Sequence, residues 1–407
     1  MTIMKKHIFT AFAFLLLANA SLSAKTYENV DVKYNRSSIY SILLNHTEQK
    51  FGKEIKQQFL DIPVPDQYNN HDLNVKVINV SGKGEFKDSI DSFIDNNHIA
   101  SRMVARWFDR NILTGECSMD LIKERGVYNA SALDHELAAR SARGKAMLED
   151  AGEELIGQSF LMVNEIKYVD KNKTAKAFGA GLKLLGSFAG AAIGVNISDL
   201  TDNLGDMIAS IKGFKVKITT HLYQLVWDDE AAGTFYNLCY TSTPDEAKCN
   251  AFEQNRDKFH LKYIGQVESS GSTTSFMGIN EEEPLLMVRK ACQRAIDDNV
   301  ADLQHKYDQF RIKTPVVEVN DKEIVAQIGL KEGISADSKF EVLEAEDKDN
   351  KTVYKRIAVV KPVASKIWDN RFMAEEENAY GATFGATTFK QESGGEILPG
   401  HLLRQID

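Results

Sequence analysis

The chain has 407 residues, 43% of them apolar, only seven prolines and a formal charge of −9. That composition excludes a low-complexity disordered polymer and gives length for two or three domains, each with its own core. With no basic cluster, the acidity argues against nucleic acid, or an anionic lipid surface, as the main partner.

The first segment, MTIMKKHIFTAFAFLLLANASLSA, carries Lys5 and Lys6, an apolar run from Ile8 to Ala18, and small residues at Ala18 and Ala20. This pattern predicts a secretory signal peptide cut after Ala20 or Ala24, the run being too short to span a bilayer. No cysteine follows it to take a lipid. Removing residues 1–24 takes away two lysines and no acid, so the formal charge moves from −9 to −11. The expected location is the periplasm or the outer membrane.

Spacing predicts a helix over Ser38–Phe59 and a surface loop in IPVPDQYNNHD, then a strand in Leu73–Val80. Phe86, Ile90, Phe93, Ile94, Val104, Trp107 and Phe108 follow helical spacing through Arg110. An irregular stretch from Cys117 leads to a second helix over Ser131–Asp150. Phe160, Met162, Ile166 and Tyr168 share one face of a strand. Phe214, Val216, Ile218, Leu222 and Val226 do the same in its counterpart, so the two read as half-buried antiparallel strands. Shorter strands are expected at Thr234–Tyr240 and Phe259–Val267. The acids Glu281–Glu283 before Pro284 make a helix start. From there Leu285, Val288, Cys292, Ile296, Leu303, Tyr307 and Phe310 carry one apolar stripe that should cover the sheet.

A boundary is expected at Thr314–Pro315, after which short strands and turns dominate. The fold class is therefore α+β: an antiparallel sheet covered by helices with a helical-hairpin insertion, then a small all-β barrel. The domains are residues 25–314, with 170–213 as the insertion, and 315–407.

The insertion holds Gly186, Gly190 and Gly194 at intervals of four, one stripe of a helix where another backbone can approach. Leu200, Leu204, Met207, Ile208 and Ile211 form a second amphipathic arm behind an Asp199 cap. Interior glycines cost about 0.5–1 kcal/mol each relative to alanine, so the arm requires a packing partner. Three readings stay open: a tight helix pair within or between subunits, a membrane-inserting hairpin, and a mobile loop.

Tests for chemistry find no catalytic, metal or cofactor motif. His135–Glu136 starts like a zinc helix, but Ala139 stands where the second ligand belongs. Trp227-Asp228-Asp229-Glu230 groups three acids that suit a solvated turn better than a hydrolytic site. Asp347–Asn350 reads as a hairpin tip and not a calcium loop. Gly179-Ala180-Gly181 lacks the remainder of either nucleotide fingerprint. His221 and His260 read as sheet histidines on polar faces. Trp107, Trp227 and Trp368 read as core before groove, although Trp368-Asp369-Asn370-Arg371 is the most conspicuous polar-aromatic cluster of the last domain. Cys117, Cys239, Cys249 and Cys292 can pair in three ways. Cys239 and Cys249, bracketing a turn at Pro244, are the favoured disulfide, with buried free thiols as the alternative.

Ile328-Gly329-Leu330-Lys331-Glu332-Gly333-Ile334 followed by Lys339-Phe340-Glu341-Val342 resembles the SH3-like barrel that ends bacterial periplasmic assembly factors such as the flagellar accessory proteins. Ala336-Asp337-Ser338 stands where that family commonly has Gly-Asp. Residues 73–170, with Arg125-Gly126 and Gly157-Gln158-Ser159-Phe160-Leu161, resemble the strand, helix, helix, strand order of curli-secretion and flagellar-accessory domains. As a whole the chain is similar to uncharacterised exported proteins of Bacteroidetes-type Gram-negative bacteria. The resemblance implies a non-enzymatic envelope role and carries over no functional residues.

The expected function is a binding or assembly module contacting an envelope protein or itself, with Gly186, Gly190, Gly194 and Trp368 as interaction candidates. The alternatives are membrane insertion or peripheral membrane contact through the glycine-rich hairpin and, third, a carboxylate-dependent hydrolase.

Overall fold

The computed structural model describes residues 37–81, 86–129, 152–169, 214–272, 284–311, 313–320, 323–348, 351–377 and 385–406. The signal segment, the helix expected over Ser131–Asp150 with His135 and Glu136, and the insertion with Gly186, Gly190 and Gly194 lie outside the described residues.

The fold is α+β, organised on strand β1 (Ser37–His46). On one side β1 pairs in parallel with β2 (Tyr68–Asn70) and then β3 (Val77–Val80). On the other it pairs in parallel with β4 (Ser159–Tyr168), from Ser38 opposite Ser159 to Leu44 opposite Glu165. β5 (Lys215–Leu225) and β6 (Leu261–Ser272) extend the sheet antiparallel, with a register shift after Leu222. The α+β sheet under helices is as expected and is antiparallel through β4, β5 and β6, whereas the pairings of β1 are parallel. Residues Ser38–His46 are strand, not helix, and only α1 (Gly52–Leu60) is helical there. A central strand covered on both faces has no period-two signature, so its unbroken apolar run reads equally well as helix.

Helices cover both faces of this sheet. Ile39, Leu43, Phe160, Met162, Ile218 and Leu222 pack against Ile55 and Phe59 of α1 and Val288, Cys292, Ala295 and Ile296 of the long helix. Tyr40, Ile42, Leu44, Leu161 and Val163 pack against α2 (Lys87–Asn96), α3 (Ile99–Trp107) and α4 (Asp120–Asn129) through Ile90, Ile94, Met103, Val104, Trp107 and Ile122. The expected single helix through Arg110 breaks at His98, whose φ of 48° is left-handed. On this second face, α5 (Asp229–Thr234) runs into a π turn over Phe235–Cys239, where a strand was expected, and α6 (Glu246–Gln254) follows. Phe235 lies 4.2 Å from Phe108 between ring centroids, so this aromatic-rich segment serves as a core plug and not as a sheet edge.

The covering helix is α7 (Pro284–Lys306). It crosses the sheet over a buried polar thread. Asn299 donates to the Thr220 hydroxyl at 2.8 Å, Thr220 to the Asn164 carbonyl at 2.8 Å, and Asn164 to Ser41 at 3.0 Å. The first bond fixes the rotation of the helix and the other two fix strand order, because an orphaned buried amide costs about 1–3 kcal/mol.

After α7 comes a curled seven-stranded half-barrel: β7 (Thr314–Pro315), β8 (Glu318–Asn320), β9 (Glu323–Ala326), β10 (Phe340–Lys348), β11 (Lys351–Pro362), β12 (Thr387–Gly394) and β13 (Leu402–Gln405), in spatial order β7-β13-β10-β11-β12-β9-β8. Every pairing is antiparallel. Val316, Ile324, Phe340, Val342, Val360, Phe389 and Leu403 form its own core. The 3-10 turn Leu330–Glu332 seats this sheet on α7.

Candidate functional site

Between α3 and α4 the chain makes a tight turn, Asn111-Ile112-Leu113-Thr114-Gly115. Its two apolar side chains point outward, Ile112 being 78% and Leu113 88% exposed. Among the described residues the other exposed large apolar ones, Leu60, Leu238, Val317, Val353 and Leu398, range from 37% to 49%. Scattered single apolar residues are ordinary on a surface, whereas two adjacent ones this bare make the turn a candidate contact surface.

The turn is rigid. The Asn111 side-chain oxygen accepts the Leu113 and Thr114 amides at 2.9 and 3.1 Å, an Asx turn. The Asn111 amide donates to the Glu116 carbonyl at 2.8 Å and the Gly115 amide to the Asn111 carbonyl at 3.0 Å. Gly115 has φ +74°, and a Cβ there would stand 3.1 Å from the Cys249 backbone, so no other residue fits without strain. From α6, the Asp245 amide donates to the Thr114 carbonyl at 3.0 Å, and the Cys249 thiol reaches the Ile112 carbonyl at 3.5 Å. Beneath it Arg110, its side chain 2% exposed, stacks 4.1 Å from the Phe252 ring and donates to the Cys249 carbonyl at 3.2 Å. Fully burying an Ile or a Leu yields about 1.5–3 kcal/mol each, and a preformed turn loses little entropy in doing so.

A second cluster lies on the sheet face under α2. Glu165 accepts from His46 Nε2 at 2.8 Å and Lys167 Nζ at 2.7 Å. Burial pushes its carboxyl up, but these two bonds outweigh it and hold it below the ordinary range. His221 is 7% exposed, and burial keeps its imidazole below the usual histidine value. The sequence expectation of a polar-face sheet histidine is corrected here: α2 covers it. Asp91 of α2 accepts from Tyr223 at 2.7 Å and pairs with Lys87, which lies 4.6 Å from the Tyr263 ring centre. Each carboxylate already holds its donors, so the cluster ties β1 to β4 and fastens α2 to β5 and β6.

A third polar group sits where α7 meets the half-barrel. Asp297 is 7% exposed and its Oδ2 has no hydrogen-bond partner. Burial pushes its carboxyl up to about 7, Glu332, Asp298 and Asp66 add to that, and Lys331 opposes it. Lys331 itself bonds Asp66 at 3.1 Å.

Trp368 belongs to this junction. Its carbonyl accepts the Leu330 amide at 2.9 Å and its amide donates to the Thr387 hydroxyl at 3.0 Å. Asn370 accepts the Lys331 amide at 2.9 Å and donates to Glu332 at 2.7 Å. Asp369 is held by Arg371 at 2.6 Å. This cluster, read from sequence as a packed corner before a partner contact, is half-buried, and its polar groups hold the 3-10 turn.

Cys239 and Cys249 are not joined: all four cysteines are free thiols. Cys239 is buried in the aromatic core at the end of the π turn, while the Cys249 sulfur faces the Ile112 carbonyl and Arg110. The acids after Trp227 start a helix, with Asp228 accepting the Ala231 amide at 3.0 Å as its cap. Trp107 is core and donates to Ser159 at 2.7 Å. Asp347 lies at the end of β10, where Lys348 pairs with Lys351 as in a hairpin. Among the described residues no group of His, Cys, Asp and Glu is arranged to hold a metal, and no helix is long and apolar enough to cross a membrane.

Sequence reading passed over Ile112 and Leu113. The signal was there in the bracketing Asn111 and Gly115, two turn formers four residues apart around large apolar residues. No protein-family model matches the chain, and no curated protein matches it.

Proposed function

We propose that the protein is an exported binding or assembly module of the bacterial envelope, working by contact with a protein partner rather than by turnover of a substrate. The observation that carries this reading is the rigid Asn111–Gly115 turn, which holds Ile112 and Leu113 in water at 78% and 88% exposure. Hot spots at interfaces are apolar or aromatic anchors that seat in a partner's pocket, and anchors already ordered in the free protein bind at the least entropic cost.

The test is chemical cross-linking in envelope fractions followed by size analysis, comparing the native chain with the Ile112→Ser/Leu113→Ser variant. Both side chains are exposed, so the unfolding midpoint should stay within about 2 °C. The cross-linked species of the native chain should vanish in the variant. Persistence of the same species in the variant would refute a contact through this turn.

A further inference from the structure

We infer that the Asn111–Gly115 turn seats in an apolar pocket of a partner protein whose rim carries lysine or arginine side chains. This rests on the binding reading above and adds the partner's chemistry. The tip of the turn supplies apolar area, and its surroundings supply the sign of the charge. Asp109 precedes the turn with its side chain 76% exposed. Glu116 follows it, exposed, its carbonyl bonded to Asn111. Asp245 sits against Thr114, and the exposed Glu246 is next in the chain.

The cations of the same region are engaged within the protein. Arg110 is buried under the turn on Phe252. Lys248 donates to the Asn237 carbonyl at 2.6 Å, Arg106 lies 3.5 Å from Asp109, and Arg256 pairs with Glu253 at 2.6 Å. Asp109 and Arg106 offset each other, which leaves Glu116 and Glu246, among the described residues, as the exposed acids beside the tip without an ion-pair partner, on a chain whose formal charge is −9. An anionic lipid surface would be repelled by these acids. Two copies meeting turn to turn would set like charges against each other, which costs several kcal/mol when they are brought close. A pocket with an aliphatic or aromatic floor and a cationic rim satisfies both parts, and the rim charges would also speed encounter.

The probe is a phage-displayed library of disulfide-closed cyclic peptides, panned on the immobilised full chain. The Ile112→Ser/Leu113→Ser chain serves as the subtractive surface. The expected winners combine aromatic or aliphatic residues with two or more Lys or Arg. Their affinity should fall at least about tenfold on the double variant, and several-fold on Glu116→Lys or between low and high salt. Circular dichroism should show all chains equally folded.

Winners without basic residues, with salt-insensitive binding, would overturn the partner chemistry and leave the binding reading standing. Flotation with phosphatidylglycerol vesicles that requires Ile112 and Leu113 would replace the protein partner with a membrane. No enrichment over the double variant would count against both readings.

Discussion

Replacing Asp297 by asparagine is expected to stabilise the protein at pH 8 by about 2–4 kcal/mol and to change little at pH 4. Asp297 is buried between α7 and the half-barrel with one carboxylate oxygen unpartnered. Burial is the main cause that pushes its carboxyl from 3.8 to about 7. An acid whose folded pKa exceeds its unfolded value binds its proton more tightly when folded, so stability is lost as pH rises. The loss begins near the unfolded value of 3.8 and is complete above about 7. A shift of about 3 units at about 1.36 kcal/mol each sets an upper limit near 4 kcal/mol. That shift is already net of the attraction to Lys331. Asparagine keeps the shape and cannot ionise. Urea unfolding at pH 4, 6 and 8 should show a gap between variant and native chain that widens with pH. A gap of constant size would mean that Asp297 does not titrate in this window.

The second large effect lies on the other side of the same helix. Gly271 in β6 meets α7 so closely that a Cβ would stand 1.9 Å from the Ala291 carbonyl oxygen. Neither backbone can yield alone, since β6 is registered on β5 and α7 is pinned by Asn299 on Thr220. Gly271→Ala should therefore cost about 3 kcal/mol or more, by prising the helix from the sheet it covers. Gly385 has no atom within 4 Å of such a Cβ, and Gly385→Ala should be close to neutral. Equal midpoints for the two variants in thermal unfolding would contradict this packing.

The α7 stripe was legible in the sequence because one face of that helix is buried and a 3.6-residue period follows directly. Val288, Cys292, Ile296 and Leu303, picked out by spacing, all lie in the core, and Phe310 joins them from a 3-10 turn beyond the end of the helix. The pairing of β4 with β5 was legible for a similar reason. β1 was not: SSIYSILLNH is buried on both faces, so nothing in it alternates. The π turn Phe235–Cys239 was lost to propensity, because Phe, Tyr and Cys suit strands until a neighbouring aromatic core takes them. His221 alternated correctly along its strand, but what covers that face is a helix from 130 residues earlier in the chain, which no local pattern encodes.

The candidate site was less legible than the fold. The residues singled out in the half-barrel, Trp368 and its neighbours, are conspicuous in sequence because they make a demanding internal junction. Ile112 and Leu113 are unremarkable as residue types, and their exposure depends on Asn111, Gly115 and the distant Cys249 holding the turn outward. Prominence in sequence followed structural demand, and the proposed binding surface lies where two ordinary residues are left exposed.

The most direct measurement is photo-cross-linking in intact cells from a benzophenone side chain placed at Leu113, compared with one at Val353 on β11. Both positions are exposed, at 88% and 37%. Contact through the turn predicts a discrete protein adduct from position 113, abolished when Ile112 is also changed to Ser, and none from position 353. Adducts of equal yield from both positions, or none from position 113, would contradict it.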